Sequence, residues 1–202
     1  IRNIPNDFPW HMFVSFVGPH DPFDPPTEYG DKYREADMPS PVPFNPEGKP
    51  EWVKDRARDF TPEKVTETRR QYCAATEAID DMVGEMLAAV ESRGMSDNTY
   101  VIFASDHGEM LGDHGMYTKS CPYEAALRVP LIVAGPGIEG GRVVRTPVEL
   151  IDVNATICDF AGLPPQEGID ARSFRPVLDG ETEEHRTETI SAYRTFRLIR
   201  TN

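Results

Sequence analysis

Between Ser105 and Lys119 the sequence reads Ser-Asp-His-Gly-Glu-Met-Leu-Gly-Asp-His-Gly-Met-Tyr-Thr-Lys, which holds two Asp-His pairs (Asp106 with His107, Asp113 with His114) and a lysine. A carboxylate beside an imidazole is a donor set for a divalent cation. It suits Mn²⁺, Zn²⁺ or a mixed Ca²⁺ site, whereas oxygen donors alone would favour Ca²⁺ or Mg²⁺. In isolation such a pair is more often a turn-capping aspartate and a hydrogen-bonded histidine, so context has to decide. Asp106 and His107 follow directly on the apolar run Thr99-Tyr-Val-Ile-Phe-Ala104. In open α/β sheets, ligands bind beyond the carboxyl ends of strands. Gly108 permits the turn that would aim both side chains at one ion. His20, in Gly18-Pro-His-Asp-Pro22, follows another apolar run, so three of the five histidines fall just past two predicted strand ends.

The elements that must position these residues are legible in outline. His11-Met-Phe-Val-Ser-Phe-Val17, bounded by Pro9 and Gly18-Pro19, reads as a buried strand. Nine prolines then fall within residues 19–50, which excludes a helix or a central strand running through them. Residues 19–60 are therefore expected to be an irregular loop, a lid or rim over the site. Thr61-Pro62-Glu63 is a helix start, with a capping Thr, Pro at the first helical position and an acid in the first turn. Val65, Tyr72, Ala75, Ile79, Met82, Val83, Met86, Leu87 and Val90 continue at helical spacing to a stop at Arg93-Gly94. The run at 99–104 and Val129-Pro-Leu-Ile-Val-Ala134 are apolar without alternation, as strands buried on both faces of a parallel sheet are. Residues 150–161 carry a helical pattern ended by Gly162, and two β-leaning runs follow around 189–193 and 196–199. Strands alternating with helices predict an α/β fold with a partial mixed or parallel sheet flanked by helices.

Composition narrows the function. The 202 residues carry 21 Lys+Arg against 34 Asp+Glu, a net charge of −13, which argues against nucleic acid as the main partner. No apolar run approaches the roughly 20 residues that span a bilayer. Three cysteines, far apart, exclude a disulfide framework and any CxxC metal or redox pair. The first residues show no charged-then-apolar leader, and compartment stays open between periplasmic or secreted and cytoplasmic.

The same residues carry a resemblance. Ser105-Asp-His-Gly-Glu109, Leu-Gly-Asp-His-Gly115, Lys119, Tyr123-Glu124 and Leu-Arg-Val-Pro-Leu-Ile-Val133 resemble the C-terminal half of the sulfatase family, of the alkaline phosphatase superfamily. Phe16-Val-Gly-Pro-His-Asp-Pro22 resembles that family's Pro-His-x-Pro loop, and Tyr72 to Gly84 its Tyr…Asp-Asp-x-Val-Gly helix. Val148-Glu-Leu-Ile-Asp152 with Phe160-Ala-Gly-Leu-Pro164 resembles its late helix and Gly-Leu-Pro stop. The resemblance implies an alkaline-phosphatase-like fold over residues 1–184, with the start of a small C-terminal antiparallel sheet over 185–202. It implies Asp106 and His107 as two ligands of one divalent cation, with His107 standing where many members have asparagine. Ca²⁺ is the usual ion, with Mn²⁺ or Mg²⁺ as alternatives. Lys119 would contact the sulfate and the leaving-group oxygen. His20 would bind sulfate and help protonate the departing alkoxide. His114 would stand behind these residues with no assigned step, and Glu124 with Arg128 would be a structural ion pair.

One departure is large. The family's nucleophile is a formylglycine made within Cys/Ser-x-Pro-x-Arg, and neither Cys73, Cys121, Cys158 nor Ser40 stands in that motif; the acidic pair that completes the metal site is missing too. The expectation is therefore part of a sulfuric ester hydrolase acting on a small-molecule or glycan sulfate ester, with the nucleophile upstream and this chain inactive alone. Exposed sheet edges would make association an artefact of truncation. Two other readings stay open. One is a phosphonate or phosphodiester hydrolase of the same superfamily, favouring Mn²⁺ or Zn²⁺; the other is a non-catalytic domain keeping the fold.

Overall fold

A computed structural model describes every residue except Asn6, Thr195 and Asn202, and the chain divides into two compact units. The first comprises Ile1–Thr99 with Glu109–Thr118, the second Tyr100–Gly108 with Lys119–Asn202. Among the described residues six α-helices and four strands follow in the order α1 (Thr27–Tyr33), α2 (Glu51–Lys54), α3 (Pro62–Glu91), β1 (Val101–Ala104), α4 (Glu124–Leu127), β2 (Leu131–Ala134), α5 (Leu150–Phe160), α6 (Arg175–Leu178), β3 (Glu188–Tyr193) and β4 (Phe196–Thr201). The fold is mixed α/β. Among the described residues no helix is long and apolar enough to cross a membrane.

The first unit is organised on α3, about 45 Å long for its 30 residues. Thr61 Oγ1 accepts the Lys64 N–H at 3.3 Å, and Pro62 occupies the first turn, where no donor is lost. The stop comes where Gly94 takes a left-handed φ of 63° and the Met95 N–H closes on Val90 O at 3.2 Å. The buried face is Val65, Arg69, Ala74, Ala78 and Val90. Met82 and Leu87, which the apolar spacing assigned to the core, are 41% and 46% exposed. Around them α1 meets α3 through polar side chains, with Tyr29 donating to Asp81 at 2.8 Å and Lys32 pairing with Glu77.

Two expectations for this unit need correcting. Residues 11–17 form no strand, and Phe13 and Val17 are 85% and 86% exposed. A strand exists only where a neighbour takes its backbone hydrogen bonds, and no described segment pairs with this run. The proline-rich stretch is also less irregular than its composition suggests. No proline falls between Pro26 and Pro39, and α1 forms there, opened by Pro26, whose carbonyl accepts from Tyr29 and Gly30 at 3.0 and 3.1 Å.

In the second unit β1 and β2 pair with each other antiparallel, Val101 opposite Ala134 and Ala104 opposite Leu131. The parallel pairing suggested by unbroken apolar runs is not what forms. Nor are the strands buried on both faces: Phe103 is 37% and Ile132 61% exposed. An apolar run records what a strand is able to bury, while its partner is set by tertiary structure. β3 and β4 form a second antiparallel ribbon, Glu188 opposite Thr201 and Tyr193 opposite Phe196.

The buried carboxylate of Asp152, in the first turn of α5, gathers the rest of this unit. Its Oδ2 accepts from Arg186 Nε at 2.7 Å, from His185 Nε2 at 3.0 Å and from the Glu149 N–H at 2.9 Å; its Oδ1 accepts from Arg186 Nη2 at 2.6 Å and the Arg172 N–H at 2.9 Å. One turn on, buried Thr156 donates to Asp152 O at 2.8 Å and accepts the Phe174 N–H at 3.0 Å. Tyr100, just before β1, stacks on Phe160 at the end of α5, the rings 3.8 Å apart and 13° from parallel.

Ahead of β2, α4 fixes the turn that follows β1. The Gly108 N–H donates to Ala126 O at 2.9 Å, and a Cβ on Gly108 would lie 1.9 Å from Ala125 O. The glycine is required by that close approach, since its φ is not left-handed.

Burial alone would raise the Asp152 pKa, but the donors from Arg186, Glu149, Arg172 and His185 outweigh it and hold the carboxyl at about 2, against 3.8 for a free side chain. The folded pKa lies below the unfolded one, so this stabilisation is complete above about pH 4 and disappears as pH falls towards 2. It amounts to about 2 kcal/mol. Urea midpoints measured between pH 5 and pH 2 should fall accordingly, and Asp152→Asn should remove that part of the slope while lowering stability at pH 7. Gly108→Ala should displace the turn after β1 and cost on the order of 2–3 kcal/mol; an unchanged melting temperature would show that the backbone at Ala125 gives way freely.

Candidate functional site

Asp106 and His107 leave the end of β1 side by side. The His107 Nδ1–H donates to Gly108 O at 2.8 Å, because a carbonyl only accepts. A neutral ring then carries its lone pair on Nε2, which lies 3.6 Å from Asp106 Oδ2. Two donors each about 2.3 Å from one ion, at right angles, would be about 3.3 Å apart, so the pair fits a shared divalent cation. Asp106 is open to ligand, its side chain 87% exposed, while its other oxygen accepts the His107 N–H at 3.0 Å. Ser105 Oγ donates to His107 O at 2.7 Å and tightens the same turn. Among the described residues no group of three or more His, Cys, Asp or Glu side chains is arranged to hold a metal. The chain brings two groups capable of donating to a cation side by side at this turn.

Lys119 begins the next segment of the second unit and is half-buried. Its carbonyl accepts the N–H of Cys121, which is fully buried and anchors the stretch before α4. Glu124, at the start of α4, lies 4.0 Å from Arg128 and also pairs with Arg200 of β4. Both Glu124 and Arg128 are well exposed, so their attraction contributes little to stability.

His20 and His114 belong to the first unit. The His20 N–H donates to Val17 O at 3.3 Å, and its ring Nδ1–H donates to Asp21 O at 2.8 Å, with Asp21 Oδ1 at 3.1 Å. The ring is 41% exposed. His114 sits in a left-handed turn with φ 54°, held by its N–H donating to Val42 O at 2.7 Å.

The second Asp-His pair does not repeat the first. Asp113 Oδ1 accepts from Arg69 Nη2 at 2.7 Å and from the Val42 N–H at 2.8 Å, so this carboxylate is committed to structure. Arg69 also donates from Nε to Leu111 O at 3.0 Å and from Nη1 to Pro39 O at 2.8 Å. The loop 109–118 is further fixed by buried Met110 and Met116, and by Gly112, where a Cβ would meet Val65 at 2.9 Å. The sequence reading passed over Arg69; the available signal was a cation four residues after Val65 on the buried face of α3. Beside it, burial and then the charge of Glu109 push the Tyr72 phenol above its ordinary value, so it stays neutral.

Residues 2–163 match the family model described as Sulfatase. The chain is 32% identical over 182 residues to an arylsulfatase of Clostridium perfringens, and 34% identical over 194 residues to a choline-sulfatase of Rhizobium meliloti. These alignments cover 85% and 90% of the chain but 38% and 37% of the relatives, so it spans well under half the length of either. Among solved structures, the phosphonate monoester hydrolase of Silicibacter pomeroyi superposes with a TM-score of 0.76 at 29% identity, over 86% of this chain and 38% of that one. With the Asp106–His107 pair at a strand end, and a family match running from Arg2 through Leu163, the chain belongs to the sulfatase family.

Proposed function

We propose that the protein to which these residues belong hydrolyses sulfate monoesters. The observation that carries this is the Asp106–His107 donor pair after β1, within a chain matched to the sulfatase family over most of its length. Asp106 and His107 would hold a divalent cation, Ca²⁺ first and Mn²⁺ or Mg²⁺ as alternatives. Once bound, the ion would draw negative charge off the sulfuryl oxygens. Lys119 supplies a fixed ammonium for the charge that grows on the bridging oxygen as the S–O bond lengthens. His20 donates a proton to the departing alkoxide. With its Nδ1–H engaged by Asp21 O, the proton passed on is the one at Nε2. His114 holds the loop between the pairs and takes no part in proton transfer.

The nucleophile in this reading is a formylglycine from sequence outside these 202 residues, because none of Cys73, Cys121 and Cys158 stands in the required motif and Cys121 is fully buried. The chain by itself is then inactive. A second reading, hydrolysis of phosphonate monoesters by the same groups, is favoured by the likeness to the Silicibacter enzyme. The ratio of kcat/KM for 4-nitrophenyl sulfate to that for a phenylphosphonate monoester, measured on the full-length protein, separates the two; a ratio well below one selects the second.

For the full-length protein, Lys119→Ala should lower kcat for an aryl sulfate by about 10²–10⁴-fold. Turnover near that of the unaltered protein would remove Lys119 from the reaction. Asp106→Ala should lower both rate and bound metal, measured by elemental analysis of the purified protein. Unchanged metal content would take Asp106 out of the coordination sphere.

A further inference from the structure

The peptide that joins His107 to Gly108 is held at both of its poles. On the carbonyl side, Ser105 Oγ donates to His107 O at 2.7 Å. On the amide side, the Gly108 N–H donates to Ala126 O at 2.9 Å, and Ala126, in α4, is buried. A peptide group is planar, so anchors at both ends leave it little freedom to rotate. The next carbonyl along starts from that anchored plane: Gly108 O accepts the Nδ1–H of the His107 ring at 2.8 Å. Glycine is permissive in both backbone angles, so Gly108 O can hold the ring only if the peptide before it is fixed. A serine at a strand end commonly does no more than cap a turn. Here the capped carbonyl belongs to the residue whose ring faces Asp106, with Nε2 at 3.6 Å from Oδ2.

We infer that Ser105 is a positioning residue for the cation pair. By holding the 107–108 peptide it keeps Gly108 O against the His107 ring, and so keeps the proton on Nδ1 and the electron pair on Nε2. The inference rests on the cation reading of Asp106 and His107 above, and every group in it lies in the second unit. The tautomer matters because an Nε2 that carries hydrogen has no electron pair for an ion. A metal-bound histidine is ordinarily oriented by the acceptor on its other nitrogen, and loss of such a partner lowers affinity about 10–100-fold. A backbone acceptor cannot be removed by substitution. The serine that fixes it can.

The test uses the full-length protein, stripped of metal by a chelator and titrated calorimetrically with Zn²⁺ and with Ca²⁺. Imidazole suits Zn²⁺ while Ca²⁺ draws on oxygen donors, so the two ions separate an effect on the ring from a general loosening of the turn. Zn²⁺ taken up by His107→Ala is subtracted as binding elsewhere. Ser105→Ala should weaken Zn²⁺ binding about tenfold and Ca²⁺ binding by about threefold at most. Equal losses for both ions, or none for Zn²⁺, would overturn the inference. The ¹⁵N signals of the neutral His107 ring in the metal-free protein give a second reading that needs no substitution. Nδ1 should carry the proton in the unaltered protein, and Ser105→Ala should show a mixture of tautomers. A proton on Nε2 of the unaltered protein overturns the inference whether or not the variant folds. If the protein binds the ions but leaves 4-nitrophenyl sulfate intact, the sulfate reading falls and these two measurements still decide Ser105. If the unaltered protein binds neither ion, the inference falls with the cation.

Discussion

A single guanidinium holds the first unit together. Arg69 projects from the buried face of the long helix α3 and satisfies three acceptors at once: the carbonyls of Pro39 and Leu111 and the carboxylate of Asp113. These lie on two segments far apart in sequence, the proline-rich stretch and the loop 109–118, neither of which has regular structure enough to hold itself. A planar, permanently charged fork with several donors suits this work, and lysine, with one compact head, would satisfy fewer of the partners. Because the side chain is only 10% exposed, its cost in lost hydration is large, and the Asp113 carboxylate with the two carbonyls offsets it. The left-handed turn at His114 and the tight approaches of Gly112 to Val65 and Gly115 to Arg58 follow from that anchorage.

The second unit solves the same problem with the sign reversed. There the buried group is an anion, Asp152, and the arriving segments bring the donors: the backbone at Arg172 and the side chains of His185 and Arg186. Short elements dominate this unit, with α4 and α6 one turn each and the strands four to six residues long. Such pieces have little helix or strand stability of their own. A buried, fully satisfied carboxylate supplies orientation that the small apolar contacts of these pieces do not.

What could be read in the sequence follows from which interactions are local. The α3 boundaries and the α5 stop at Gly162 were legible because caps and glycines act within a few residues, and the two C-terminal strands because β-leaning composition is local; their antiparallel pairing was implied by the resemblance. The Asp106–His107 pair was legible because adjacency at a strand end is itself local. Direction and burial of the strands were not, since an apolar run such as 99–104 looks alike whether its partner runs with it or against it. The run at 11–17 failed for the same reason: its composition is that of a strand, but pairing is a property of two segments. Arg69 and Asp152 escaped because a charged residue on a buried face makes sense only once its distant partners are known, and for Asp152 these lie about 20 and 34 residues on. The resemblance to sulfatases carried what local physics could not, namely the roles proposed for His20 and Lys119.

The loop 109–118 belongs to the first unit although the residues on either side of it belong to the second. The polypeptide therefore passes between the two units three times, at 99/100, 108/109 and 118/119. Neither unit is a contiguous stretch of gene, and no single recombination point exchanges one while leaving the other whole. A crossover at 99/100 would deprive the first unit of Met110 and Met116, two of its most deeply buried side chains. It would also take the aspartate that Arg69 grips. The buried face of α3 and the Asp106–His107 turn after β1 are in this way bound to be inherited together, so such a protein is expected to diverge by substitution within each unit rather than by exchange of a module.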